Sequence, residues 1–248
     1  MRSGNPALNE STFDQFHELS YADTNRMTIR GTANKTMILL GLAVGTASLT
    51  WSQVANGDIG TAMPWMIGGV IGGMICALIL MFKADWAPVL APLYALGQGL
   101  FLGGLSSAIN ARFEGIPLQA VAITFGTMFS LLMAYQTGLI RATENFKLGI
   151  FAATGGIAVV YLTTMMLGFF GIQIPYIHSN GLIGIGFSAF VVVIAALNLV
   201  LDFDFIENAA KSGAPKSAEW YGAFGLMVTL VWLYIEVLRL LVKLQSRD

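Results

Sequence analysis

Charge is what this sequence has least of. Only 11% of its 248 residues are Asp, Glu, Lys or Arg, while 56% are hydrophobic. A water-soluble domain carries roughly 25% charged residues, so these side chains are too few to cover a soluble surface. The 13 basic and 14 acidic residues nearly cancel, to a net charge of −1. With the basic ones spread over separate segments, no broad phosphate-binding face forms, which argues against nucleic acid as a partner. The single cysteine, Cys76, lies in an apolar run, excludes an intrachain disulfide and says nothing of redox compartment. One cysteine and two histidines, His17 and His178, argue against a zinc centre, and no resident cofactor is expected. The first thirty residues also lack an apolar run. Asn9, Glu10, Ser11, Asp14, Glu18 and Asp23 make them polar, so no cleavable signal peptide is expected, and the first span doubles as the insertion signal.

What is there is hydrocarbon. Mean hydropathy is +0.70, and the apolar residues gather in seven runs, 36–54, 63–82, 86–109, 118–140, 148–172, 181–201 and 221–244. Each is close to the ~20 residues that cross a bilayer core as a helix. The expected fold is therefore all-α, seven transmembrane helices in one bundle, with the lipid bilayer as solvent. A polar tail at 1–35 precedes the membrane domain at 36–244, and a short tail at 245–248 follows it. Phe13, Phe16 and Leu19 stand at helical spacing, so the first tail is either a short amphipathic surface helix or unstructured. Short polar breaks make successive helices antiparallel neighbours.

With the N-terminus in the cytoplasm, nine Lys/Arg fall inside and four outside, namely Arg112, Arg239, Lys243 and Arg247. The positive-inside rule favours that orientation in a multi-pass membrane protein. Glycines cluster in Gly68-Gly69-x-x-Gly72-Gly73 and Gly99-x-x-x-Gly103-Gly104. Small residues four apart let helix backbones approach closely in lipid, and tight packing is favoured over a pore lining.

Ionisable residues inside or beside the apolar runs carry the functional signal, because an unpaired charge in lipid is expensive. Glu236 lies well within the last run, where it either pairs with Arg239 three residues on or titrates toward the bundle interior. Asp202 and Asp204 end the sixth run, followed by Glu207. The flanking Phe203 and Phe205 favour burial of Asp202 over Asp204 and Glu207. Two carboxylates brought together in a dry site share a proton, and one is then hard to ionise. Protonated, such a pair is a neutral closure; deprotonated, it can bind a cation, and calcium suits oxygen ligands.

Several stretches carry a resemblance: Met27-Thr-Ile-Arg-Gly-Thr-Ala-Asn-Lys-Thr, Pro92-Leu-Tyr-Ala-Leu-Gly-Gln-Gly-Leu-Phe-Leu-Gly-Gly, Leu201-Asp202-Phe203-Asp204 with Ile206-Glu207, and Leu233-Tyr234-Ile235-Glu236. In this order across seven spans the chain resembles the Bax-inhibitor family of transmembrane proteins, in a bacterial branch with a longer polar N-terminus. The resemblance implies a bundle with its last helix central, and a pH-sensitive calcium leak gated by two carboxylates. By position these are Asp202 and Glu236, which would also hold the calcium ion. Lys83, ending helix two, would join an accessory charge cluster with Asp204, Glu207 and Arg239. Glu236 stands where the family has Asp. Gln98 stands where this branch has Glu, on a candidate pathway. Helical rise of about 1.5 Å per residue separates Glu236 from Asp202 in depth, unless the last helix starts late, tilts or is broken.

The expected activity is thus transport of calcium and protons rather than enzymatic. The alternative is a membrane modulator that acts through contacts with other membrane proteins, in stress or cell-death suppression or protease regulation. An intramembrane protease is remote. No Gly-x-Gly-Asp precedes Glu236, and Ser106, Ser107 and Ser188 have no histidine within a span to serve as base.

Overall fold

The computed structural model describes residues 25–171 and 181–246. Among these residues seven helices are long and apolar enough to cross a membrane: α1 (Ile29–Ala55), α2 (Ile59–Phe82), α3 (Ala87–Asn110), α4 (Ile116–Gln136), α5 (Glu144–Phe169), α6 (Leu182–Lys211) and α7 (Ala218–Gln245). A single 3-10 turn, Ala84–Trp86, joins α2 to α3. The proposed amphipathic stretch at Phe13–Leu19 lies outside the described residues. The end where α1, α3, α5 and α7 begin is called the proximal face below, and the opposite end the distal face.

Local chemistry sets the ends. Thr28 caps α1 by accepting the Gly31 N–H at 2.9 Å, and Thr143 accepts from Phe146 at the start of α5. Such side chains replace carbonyl partners that the first helical turn lacks. Gly115 (φ +81°) and Gly138 (φ +73°) turn the chain before and after α4 in a left-handed conformation costly for other residues.

Two boundaries differ from the hydropathy pattern. Helix α1 begins seven residues earlier than its apolar run, and α6 continues ten residues beyond Leu201. Polar residues at a helix end are invisible to hydropathy, yet backbone hydrogen bonding continues through them. Asp202, Asp204 and Glu207 consequently lie on α6 and not in a loop.

Helix α7 is the axis of the bundle. It packs on α1, α3, α4 and α6, and its buried face runs from Glu219 to Lys243. Two apolar clusters form around it, one with α6 through Leu199, Phe203, Leu230 and Leu233, the other with α1 and α3 through Leu39, Ala91, Tyr94 and Met227. Helix α5 is peripheral and packs on α6 alone among the close helix pairs, across Ile150, Ile157, Val191 and Ile194. The α1–α3 contact depends on small residues: a methyl at Gly99 would overlap the Ala43 carbonyl, and one at Gly103 the Ala47 carbonyl. Gly69 and Gly97 do the same service between α2 and α3. These glycines are packing surfaces, while Gly68 and Gly72 face open space.

Candidate functional site

Among the described residues, buried or half-buried ionisable groups gather at three places, all against α7 or its neighbours. The first is at the proximal face. Residues before α1 pair with the α6–α7 connection, through Met27 N–H to Ala214 O at 2.7 Å and Lys216 N–H to Asn25 O at 2.9 Å. Just beyond, the Glu219 carboxylate, 1% exposed, accepts from Thr28 N–H at 3.0 Å and the Thr28 hydroxyl at 2.9 Å. It also forms an ion pair with Lys35, whose ammonium lies 5.5 Å from the centre of the Trp220 ring. Gly31 makes room, since a methyl there would overlap the carboxylate. Sequence reasoning missed this clamp. Its partners stand 184 and 191 residues apart, and the one signal was that Thr28, Gly31 and Lys35 all fall within the stretch leading into helix one.

Asp202 forms the second. It faces α7 at Gly225 and Thr229, with the Thr229 hydroxyl against its carboxylate. Its Oδ2 is shielded and has no hydrogen-bond partner among the described residues.

The third is a set of rungs along the seam of α5, α6 and α7. Nearest the proximal face, Lys147 pairs with Asp204 at 2.9 Å. Mid-span, Asn198 Nδ2 donates to Thr154 Oγ1 at 2.9 Å. Farther out, the Tyr161 hydroxyl donates to Glu236 Oε1 at 3.0 Å. Arg239 Nη1 reaches both oxygens of the same carboxylate, at 3.0 and 3.1 Å, and its guanidinium lies over the Tyr161 ring. Toward the distal face, Lys243 Nζ donates to Ser188 Oγ at 2.8 Å and to Gly184 O at 3.0 Å. On α5 the polar residues Lys147, Thr154 and Tyr161 recur every seven positions, which puts them on one face of the helix. Apolar layers around Ile150, Ile157, Val191 and Ile194 separate the rungs.

Several expected groupings are not formed. Asp202 and Glu236 share no hydrogen bond: Thr229, level with Asp202, is seven residues from Glu236, about 10 Å along the helix. The last helix is unbroken and begins at Ala218, so nothing brings Glu236 back to the depth of Asp202. The ion pair with Arg239 occupies Glu236 instead. Glu207 binds Lys211 and the Tyr135 hydroxyl, both at 2.5 Å, and Asp204 turns to α5. Lys83 stacks over Trp86 at 5.0 Å, and Gln98 packs against Gly73 of α2. Neither belongs to the charged seam, because both lie at the α2–α3 side of the bundle. Among the described residues no three His, Cys, Asp or Glu converge as a metal site. Of the serines, Ser106 pairs with Tyr234 at 2.7 Å, Ser107 donates to Trp51 O, and Ser188 meets a lysine.

Seven spans about a central last helix, with α6 carrying Leu-Asp-Phe-Asp and α7 carrying Tyr-Ile-Glu, are matched over residues 5–246 by the family model described as Bax inhibitor 1 like. The chain belongs to the Bax inhibitor 1 like family. No curated protein and no solved structure matches it significantly. Membership extends over nearly the whole chain, so the proximal clamp, Asp202 and the seam all lie inside the Bax inhibitor 1 like region.

Proposed function

We propose that this Bax inhibitor 1 like protein is a pH-sensitive cation leak, with calcium as the principal ion and the α5–α6–α7 seam as its path. The observation that carries the reading is the succession of polar and ionisable rungs from Lys147–Asp204 to Lys243–Ser188. Helices facing lipid gain nothing from such residues, and intramembrane ionisable groups mark ion and proton routes. The arrangement described is the closed one. Apolar layers interrupt the rungs, and Arg239 occupies the Glu236 carboxylate that a cation would use.

The two carboxylates take different parts in this scheme. Asp202 Oδ2, shielded and without a partner among the described residues, offers a cation an anionic oxygen only when deprotonated. Glu236 offsets Arg239, so its loss would leave a positive barrier in the path. The protein is read as a transporter and not an enzyme. The proximal face is read as cytoplasmic, a reading supported by the nine-to-four distribution of basic residues.

Purified protein in liposomes holding a calcium dye tests this between about pH 6 and 8. Calcium entry should rise with pH, Asp202→Asn should flatten that rise, and Glu236→Gln should lower flux at every pH. Flux no greater than in empty liposomes would sink the proposal and leave a modulator of other membrane proteins as the remaining reading.

A further inference from the structure

Helices α1 and α4 face each other without packing together. Helix α1 lies on α2, α3 and α7, and α4 on α3, α6 and α7. The space between them holds two cavities that meet at Leu40. The distal one, about 330 Å³, has α1 and α4 as walls at Val44 and Val121, and α3 and α7 as floor at Gly103 and Val231. The proximal one, about 910 Å³, begins among Met37, Met128 and Leu132. Together they follow α1 from Ile29 to Trp51, roughly 33 Å at helical rise, close to the thickness of a hydrocarbon core.

The two cavities differ in chemistry. In the distal one the hydroxyls are already engaged, Ser106 with Tyr234 at 2.7 Å and Thr124 with the Ala120 carbonyl at 2.8 Å. Nothing there asks for a polar ligand, and its volume falls within the usual range for an apolar ligand site. At the proximal end the charged groups and the tyrosine are Arg141, Tyr135, Asp204, Glu207 and Lys211. Both acids are answered within the protein, Asp204 by Lys147 and Glu207 by Lys211 and Tyr135. Arg141 forms no ion pair with the described residues. Among the described residues a cation is therefore left over at the headgroup end of a groove whose distal part is apolar, which calls for an anionic group joined to a hydrocarbon chain.

We infer that the α1–α4 groove binds one phospholipid, an acyl chain lying along Met37, Leu40 and Val44 and its phosphate against Arg141. The guanidinium gives a bidentate, charge-assisted contact to phosphate, and the groove removes the chain from the surrounding bilayer. The chain rests on Met227, Leu230 and Val231 of α7, the helix that also carries Glu236. Occupancy therefore reaches the central helix from the side opposite α5.

Delipidated protein in detergent is titrated with dioleoyl phosphatidylglycerol and bound lipid is counted by native mass spectrometry. Val44→Trp and Val121→Trp fill the groove from its two walls. Both residues are solvent-facing or lipid-facing in the fold, at 68% and 39% exposure, so folding survives. Val159→Trp, on the outer face of α5 at 63% exposure, is the control. One lipid should remain on the wild type and on Val159→Trp, with affinity falling about tenfold in each groove variant and several-fold in Arg141→Gln. Equal lipid binding by wild type and groove variants, or a graded shell of many lipids with no first tight one, would overturn the assignment. So would a second copy of the chain, or a co-purifying polypeptide, in place of the lipid.

Discussion

A single methyl at Gly31 tests the proximal clamp. Gly31 sits in the first turn of α1, and a Cβ built there overlaps the Glu219 carboxylate. The carboxylate cannot move and keep its partners, because Thr28 N–H and the Thr28 hydroxyl hold one of its oxygens and Lys35 the other. Hydrogen bonds to a charged group contribute about 1.5–3 kcal/mol each, and breaking a buried pair costs about 3–5 kcal/mol. Some of this returns as hydration at the membrane boundary, so Gly31→Ala should cost about 3 kcal/mol net. At Gly45 on the same helix, an added methyl would meet nothing within 4 Å; there the same change should stabilise by about 0.5–1 kcal/mol through helix propensity. The signs are opposite for identical chemistry. Reversible unfolding in mixed micelles against sodium dodecyl sulfate measures both, and a double-mutant cycle locates the cause. In a Glu219→Ala background the cost of Gly31→Ala should largely vanish. A Gly31→Ala protein as stable as the wild type, or a cost that persists without Glu219, would refute the clamp.

Arg239→Gln should destabilise by about 3–5 kcal/mol, because it leaves the buried Glu236 charge with Tyr161 alone; adding Glu236→Gln should restore most of the loss in the same unfolding assay. Gly99→Ala and Gly103→Ala should each cost about 1–3 kcal/mol by forcing α1 from α3, and crosslinking between cysteines placed across that seam should slow. Lys147→Met should leave stability close to that of the wild type in the same unfolding assay, its ammonium being solvated. If the seam is the path, the same substitution alters calcium entry in liposomes.

Composition and pattern reached a long way. With charge at 11% and seven apolar runs, a helical membrane bundle follows: lipid offers the backbone no partners, which leaves helices or a closed barrel, and the runs have the ~20 residues of a spanning helix rather than the roughly 10 of a strand. One partner of a buried acid was on offer in the sequence: Glu236 lies mid-run with Arg239 three residues on, so helical periodicity allows the pair, and the folded bundle forms it. The packing role of Gly69, Gly99 and Gly103 follows in the same way from spacing. Hydropathy lost the ends of α1 and α6, whose polar turns continue the helix without an apolar signal.

The sequence by itself determined which segments enter the membrane and which charges they carry with them, since both depend on local composition and a fixed helical rise. Tertiary structure alone decided what those charges meet. Depth separates Asp202 from Glu236, although both belong to the last two helices, because α7 starts at Ala218 and runs unbroken. Glu219 finds Thr28 and Lys35 at the other end of the chain, and Ser188 finds Lys243 rather than a histidine. The α1–α4 groove is a gap between helices that each pack elsewhere. Contacts between distant segments depend on how helices are arranged around α7, and periodicity within one segment carries no information about that arrangement.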